Sequence, residues 1–400
     1  MKTKDNHGKL PNNVRFLGLV SFFNDTASEM LYPVMPVFLT QVLGAPIYVV
    51  GIIEGVAEAS ASIFKTVFGY WSDKMGRRKP FIFGGYLASA ISKIIIALSY
   101  SWPVVLLGRF TDRFGKGLRT GARDAMLLDA ADSSNRGYIF GFHRSMDTAG
   151  AVFGPLIAIG ILNLFPNNLR LILYIASIPA FLALVFFIFL KEVKTTKEKL
   201  TRPMSLSLSY RTLPTELKVF ILGLAVFSLG NSSDAFLILR SKDLGLTLTL
   251  VISAYVLYNL VYALTSIPAG KIADKLGAKK VFILGILIFT LVYLGFAING
   301  SLPMVWILFA VYGFYMALTD GVSKSIIGSY VSSEIAGTAY GVTNTITSLC
   351  TLIASVIAGF LWSAISPQAT FIFGAVCALA SLVIFGVVKN TKKPSQTVAN

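Results

Sequence analysis

The sequence predicts an all-α membrane protein: twelve transmembrane helices in two pseudo-symmetric six-helix bundles. Three observations predict it. There are too few charges to clothe a water-soluble surface, the apolar stretches are each long enough to cross a bilayer, and several motifs recur once in each half. Of the 400 residues, 55% are hydrophobic and 14% charged, against about 25% charged in a soluble domain. The mean hydropathy is +0.71. A surface so poor in charge must face lipid over much of its area.

A span needs roughly 20 mostly apolar residues. The first six fall at about 14–42, 47–71, 81–100, 104–125, 138–163 and 169–190. The longest polar stretch, 191–216, follows and reads as a linker. A second six fall at about 217–241, 248–271, 281–299, 303–327, 338–364 and 369–388. The predicted domains are therefore 1–190, an N-terminal bundle, and 217–400, a C-terminal bundle, joined by the 191–216 linker. Short loops such as Ser101-Trp102-Pro103 and Ser366-Pro367-Gln368 carry ordinary turn residues.

The formal charge of +16 raises nucleic acid as a partner, and the placement of the charge argues against it. Most Lys and Arg lie in segments that alternate with the others, on one side of the membrane. Arg170, Arg240 and Lys242 fall on the other side, and the remainder lie inside helices. This is the positive-inside bias, which marks the basic side as cytoplasmic in a plasma or inner membrane, with both termini there. Cations dispersed among apolar spans do not form the patch that nucleic acid requires. Cys350 and Cys377 sit in apolar runs without ligand spacing, so neither a disulfide framework nor a metal site is indicated, and no cofactor is expected. No cleavable signal peptide is expected, because the first span carries Asn24, Asp25 and Glu29.

The halves repeat each other. Gly69-x-x-x-Asp73-x-x-Gly76-Arg77-Arg78-Lys79 recurs as Gly270-x-x-x-Asp274-x-x-Gly277-x-Lys279-Lys280. Thr111-Asp112 followed by Lys116 recurs as Thr319-Asp320 followed by Lys324, and Gly137-x-x-x-Gly141 as Gly337-x-x-x-Gly341. Repeats of this kind in membrane proteins point to a transporter with its site between the halves. In the loop after span 2, Asp73 can cap a helix N-terminus or accept from Arg77, Gly76 permits the tight turn, and the cations hold the loop in the cytosol.

That loop resembles the signature of the major facilitator superfamily, and the resemblance covers essentially the whole chain: twelve spans, a six-plus-six split and a long central loop. It implies a latch made by Gly69, Asp73, Gly76, Arg77 and Arg78, with a weaker copy at Asp274 and Gly277. Span 5 has Gly141, Gly150 and Gly154-Pro155 at the spacing of the helix 5 motif of drug:proton antiporters, although Ala158 and Ile159 stand where two further glycines often follow. Span 4 has Arg113-x-x-Lys116-Gly117, similar to the superfamily's Arg-x-x-Gln-Gly with Lys116 in place of Gln; Arg109 is an alternative match. The resemblance implies proton coupling through this arginine and a central cavity lined by spans 1, 4, 7 and 10, with 2, 5, 8 and 11 beside them.

Ionisable groups inside spans carry the functional reading. Each costs roughly 2.5–3.5 kcal/mol or more at a helix centre, so each needs a partner or a water-filled cavity. Asp25 and Glu29 share a face of span 1, roughly 15–20 Å from its start by the helical rise. Pro33 and Pro36 should bend the helix just beyond them. Span 2 carries Glu54 and Glu58; span 4, Arg109, Asp112, Arg113, Lys116 and, nearer the cytosol, Arg119, Arg123 and Asp124; span 5, His143, Arg144 and Asp147. Lys93 reads as alone on span 3. The second half offers Asn231, Asp234, Tyr258 and Asn259, so charged chemistry is concentrated in the first. Spans 6, 9 and 12 are nearly free of charge, as outer helices should be.

The expected mechanism is alternating access, with Asp25 and Glu29 as first candidates for carrying a proton, then Glu58 and Asp147, and with Arg113 and Arg144 as switching partners. His143 is a further candidate, able as a histidine to titrate near neutral pH, although a lone polar histidine is more often a structural hydrogen-bonding group. The helix 5 motif favours export over uptake. The abundance of cations leaves open an anionic substrate, such as an organic acid or a metal chelate. The expected partners are a small-molecule substrate, protons and membrane lipid, for a chain that works as a monomer. An enzyme is not expected: there is no H-E-x-x-H, no G-x-S-x-G and no Walker-type phosphate loop.

Overall fold

A computed structural model describes residues 10–75, 77–130, 136–166, 168–192, 210–211, 213–331 and 333–387. The regular secondary structure of the described residues is helical, without strands. The helices are Asn12–Leu31, Ile47–Met75, Lys79–Ala97, Trp102–Asp129, Arg136–Leu164 and Leu169–Phe187, then Thr215–Gly230 with Ala235–Asp243, Leu248–Leu276, Ala278–Ile298, Leu302–Tyr330, Ser333–Ala364 and Pro367–Val387. These correspond in order to spans 1–12. Pro367 opens the last helix, and Trp102 and Pro103 begin the fourth, so residues read as turns form first helical turns, where proline's missing N–H costs nothing.

Two spans are discontinuous. Span 1 leaves α-helix after Leu31, passes through a turn at 32–34, and resumes as Met35–Val37 and a π-helical segment, Phe38–Val42. Pro33 and Pro36 account for this, each removing a backbone donor. Span 7, expected as one helix over 217–241, stops at Gly230 and restarts at Ala235. The intervening Asn231-Ser232-Ser233-Asp234 are poor helix formers: Ser233 Oγ accepts locally from the Ala235 amide at 3.3 Å, and Ser355 Oγ of span 11 accepts from the Ser233 amide at 3.2 Å.

Among the described residues, ten helical stretches are long and apolar enough to cross a membrane. Spans 1 and 4 fall short of that measure because they hold the charges. Large apolar side chains lie exposed along the others, Leu264 at 67% and Val383 at 72% among them. Such exposure suits hydrocarbon rather than water.

The chain packs as two units, Met1–Met35 with Ile63–Arg202 and Pro36–Ser62 with Pro203–Asn400. The first has its core where Val14, Leu17, Val20, Ile82, Tyr86, Ala122, Met126 and Phe187 meet. In the second, an aromatic ladder runs from Phe227 to Phe289 at 4.9 Å, Phe289 to Tyr293 at 3.9 Å and Tyr293 to Phe371 at 5.5 Å between ring centres. Also in the second unit, Gly51 and Gly55 lie against the backbone of Ser355 and Leu352, and Gly359 lies against Tyr48. Small residues on both helices bring spans 2 and 11 to backbone contact there.

Two of the three cations on the less basic side end helices. Arg170 donates to the carbonyls of Ala97 and Ser99, at 3.0 and 2.6 Å, at the end of span 3. Arg240 donates to Phe296 and Asn299, at 3.1 and 3.4 Å, at the end of span 9. Each satisfies carbonyls that a helix C-terminus leaves without partners.

Candidate functional site

In the first unit the site begins with a glycine seam. A Cβ on Gly150 would meet the Phe22 carbonyl at 2.6 Å and Asp25 Cβ at 3.1 Å; on Gly154 it would meet the Thr26 carbonyl at 2.5 Å and the Met30 nitrogen at 2.9 Å. These two glycines set span 5 directly against the stretch of span 1 that bears Asp25 and Glu29. Pro155 is buried within the span 5 helix, and the surroundings of Gly141 lie outside the described residues.

Asp25 and Glu29 are both half-buried. The Asn24 side-chain amide donates to Asp25 Oδ1 at 3.1 Å. One and two turns from Gly150 toward the basic end are Asp147 and His143, whose Nδ1 lies 3.5 Å from Asp147 Oδ2. Asp25 and Asp147 are in electrostatic range of each other, and Asp25 also feels Arg119, Lys116 and Arg123. Arg119 is buried, donates to Ser89 Oγ at 2.7 Å and lies 4.5 Å over the Tyr86 ring. Arg123 donates to Ser21 Oγ at 3.3 Å and pairs with Asp124 at 3.1 Å.

Span 4 thus supplies the cations from Arg119 and Arg123, which the sequence reading set nearer the cytosol and left out of the site. Their spacing could have found them: Asp112, Lys116, Arg119 and Arg123 step by four, three and four residues along one face. Arg144, expected as a switching partner, is exposed, as is Lys116. Arg109 is buried 6.0 Å from the Tyr32 ring centre, and Arg113 is buried. Lys93 is not alone: its Nζ lies 2.6 Å from Asp112 Oδ1, and both side chains are buried. Asp112 is therefore engaged in an ion pair between spans 3 and 4.

The second unit holds its own carboxylates. Tyr312 donates to Asp234 Oδ1 at 2.7 Å, and Asn231 donates to the Tyr315 hydroxyl at 3.3 Å, so both polar residues at the break in span 7 are tied to span 10. Tyr258 packs on Tyr312 with ring centres 5.2 Å apart, and Asn259 donates to the Tyr255 carbonyl at 3.0 Å. Glu54 and Glu58 belong to this unit and lie in electrostatic range of Asp234. Residues 36–62, from spans 1 and 2, pack with the second unit and carry Glu54 and Glu58 there, while the other in-span charges of the first half lie in the first unit.

At the basic loop, Gly76 and the surroundings of Gly69 and Asp73 lie outside the described residues. Arg77 is exposed. Arg78 donates to Ser72 Oγ at 3.0 Å and lies 3.9 Å from Asp129. A residue that no motif flagged, Glu192, accepts from the Arg78 and Lys79 amides at 2.8 and 3.2 Å, placing a carboxylate at the start of span 3. In the weaker copy Asp274 is exposed, and Gly277 adopts φ 97°, which explains the glycine.

Comparison with known proteins adds the following. The sequence profile of the Major Facilitator Superfamily matches residues 17–239 and 219–399. The chain is 37% identical to the uncharacterized MFS-type transporter MJ1317 of Methanocaldococcus jannaschii, over 95% of this chain and 96% of that one. It is 25% identical to the multi-drug resistance efflux pump PmrA of Streptococcus pneumoniae, over 73% and 74% of the two chains. Its fold matches a crystal structure of the nucleoside transporter NupG with a TM-score of 0.77 at 14% identity, covering 94% of this chain and 98% of that one.

Proposed function

The chain belongs to the Major Facilitator Superfamily, and on that premise we propose that this multi-pass membrane transporter exports a small molecule in exchange for protons by alternating access. The observation that carries the reading is the glycine seam. Gly150 and Gly154 place span 5 against Asp25 and Glu29, and the same face of span 5 continues into Asp147 and His143. Half-buried acids near arginines can change protonation as their surroundings change. Static ion pairs alone would not call for a helix face without side chains beside them. The likeness to an efflux pump, distant as it is, points the same way on direction.

Residues 1–190 and 217–400 are the moving bodies in this reading, joined by 191–216. Asn231, Asp234, Tyr258 and Asn259 are the second body's polar contribution, Glu54 and Glu58 belong to the first body, and Arg78 and its neighbours form the latch. The basic loops and both termini face the cytoplasm. The chain works as a monomer in lipid.

The test is transport in proteoliposomes with an imposed pH gradient, using a substrate found by a counterflow screen. The wild type should follow the gradient. Asp25→Asn and Glu29→Gln should each retain counterflow and lose most of the gradient response. Undiminished gradient dependence in both would remove the coupling role assigned to span 1.

A further inference from the structure

The break in span 7 sorts hydrogen-bond donors from acceptors. Beyond it, the first amides of Ala235–Asp243 are engaged: Ala235 by Ser233 Oγ, Phe236 by the Ser233 carbonyl, and Leu237 and Ile238 by the Asp234 carbonyl. Before it, the Ser232 amide turns to the Gly230 carbonyl and the Ser233 amide to Ser355 Oγ. In a continuous helix these two amides would serve the carbonyls of Ser228 and Leu229, which the break releases at the electronegative end of Thr215–Gly230. The side chains sort the same way. Tyr312 donates to Asp234 Oδ1 at 2.7 Å, Tyr258 also bonds to that carboxylate, and the Asn231 amide donates to the Tyr315 hydroxyl at 3.3 Å. Asn231 Oδ1 is left buried, without a hydrogen-bond partner among the described residues.

The break thus offers a ligand a carboxylate, an amide oxygen and backbone carbonyls, with phenols spent on holding the side chains in place. A guest that satisfies such a set brings N–H hydrogens and positive charge. The leading charges felt at Asp234 strengthen that demand, because they are two more carboxylates, Glu58 and Glu54, which pack in the same unit. Cations of that unit such as Arg240 and Lys324 are already held, by Asp243 and Asp320. A bare metal ion fits less well: among the described residues no three acids, histidines or cysteines stand close enough together to hold one. The tyrosines behind the break suit an organic body instead. Tyr255, Tyr258, Tyr312 and Tyr315 form a buried row with successive ring centres 5.5, 5.2 and 5.1 Å apart, and aromatic rings attract organic cations. Asn231 and Asp234 are only half-buried, so the polar end of the row is the end within reach.

We propose that the break in span 7 recognises the charged head of the cargo, and that the cargo is an organic amine carried as its ammonium. This names the substrate class of the export reading and rests on that reading. The ammonium places N–H groups on Asp234 and on Asn231 Oδ1, its organic body lies toward the tyrosine row, and Glu54 and Glu58 add attraction at longer range. Tyr312 is a positioning residue, because it bonds to the carboxylate and not to the ammonium. The cations of the first half, which left an anionic cargo open, are met by acids of their own, Lys93 by Asp112 and Arg123 by Asp124 among them.

The test is ligand-dependent melting of the full-length protein in lipid nanodiscs, in neutral potassium buffer. The probes are phenethylamine and its uncharged and anionic counterparts, phenethyl alcohol and hydrocinnamate, each over a concentration series. The amine should raise the melting temperature saturably, and the alcohol and the acid should not. Asp234→Asn should weaken the apparent affinity for the amine by about tenfold or more, and Asn231→Leu by roughly fivefold. Each variant is read against its own melting temperature without ligand, so lost stability does not imitate lost binding. Asp243→Asn, which breaks an ion pair at the far end of Ala235–Asp243, should leave the affinity unchanged. An amine shift that survives Asp234→Asn overturns the proposal, as does an equal or larger shift with the alcohol or the acid, or no saturable shift with the amine. A shift with sodium ion alone that Asp234→Asn abolishes would reassign the break to a metal ion and overturn the organic cargo. The export reading fails separately: amine movement in wild-type vesicles that ignores the pH gradient removes it and leaves the binding result in place.

Discussion

Lys93 and Asp112 show what helical spacing along one chain segment can and cannot reveal. Span 3 offers no acid at a helical step from Lys93, so the lysine reads as isolated; its partner comes from span 4, 2.6 Å away. Breaking such a buried pair from one side leaves an uncompensated charge, a loss of about 3–5 kcal/mol, whereas replacing both members with apolar groups is often neutral. Lys93→Met should therefore lower the melting temperature in detergent sharply, and Lys93→Met with Asp112→Leu should recover most of it. A double variant no more stable than the single one would show that Asp112 is needed for something other than Lys93. Arg170 invites a gentler test. Arg170→Gln strips the carbonyls of Ala97 and Ser99 of their charged donor, and thermal unfolding should show a loss of about 1–3 kcal/mol.

At the scale of elements, the packing role of Gly150 and Gly154 was legible and its consequence was not. Small residues at that spacing announce a close helix contact; that the contact falls on Asp25 and Glu29 depends on which helix lies opposite. Gly154→Leu would drive a side chain into the Thr26 carbonyl and the Met30 nitrogen. It should destabilise the protein far more than Gly160→Leu on the same span, where a Cβ meets nothing within 4 Å. Melting curves of the two variants side by side decide this, and equal losses would remove the seam. The break in span 7 was also readable in principle, since Gly230-Asn231-Ser232-Ser233-Asp234 is a run of weak helix formers. It was passed over because hydropathy alone carries span 7 across the gap. The proline-rich end of span 1 was easier, because proline interrupts a helix by removing a donor whatever lies around it.

For the whole molecule, composition and repetition fixed the class and the order of spans, because lipid imposes one strong rule on every helix it touches. They did not show that residues 36–62 pack with the second unit, since assignment to a half follows chain order while packing follows contact. The proposed orientation rests on the basic loops. With Cys350 and Cys377 replaced, single cysteines placed at Arg77 and at Lys280 should be shielded from an impermeant thiol reagent in intact cells, and one placed at Gly300 should react. Reaction at Arg77 would invert the topology.

The central claim, that half-buried acids near arginines exchange protons for cargo, is tested most directly by wild-type protein in proteoliposomes loaded with a counterflow-identified substrate. Imposing a pH gradient should drive that substrate against its own concentration difference, and collapsing the gradient with a proton–potassium exchanger should abolish the movement. Movement of the same rate and extent with and without the gradient would contradict the account.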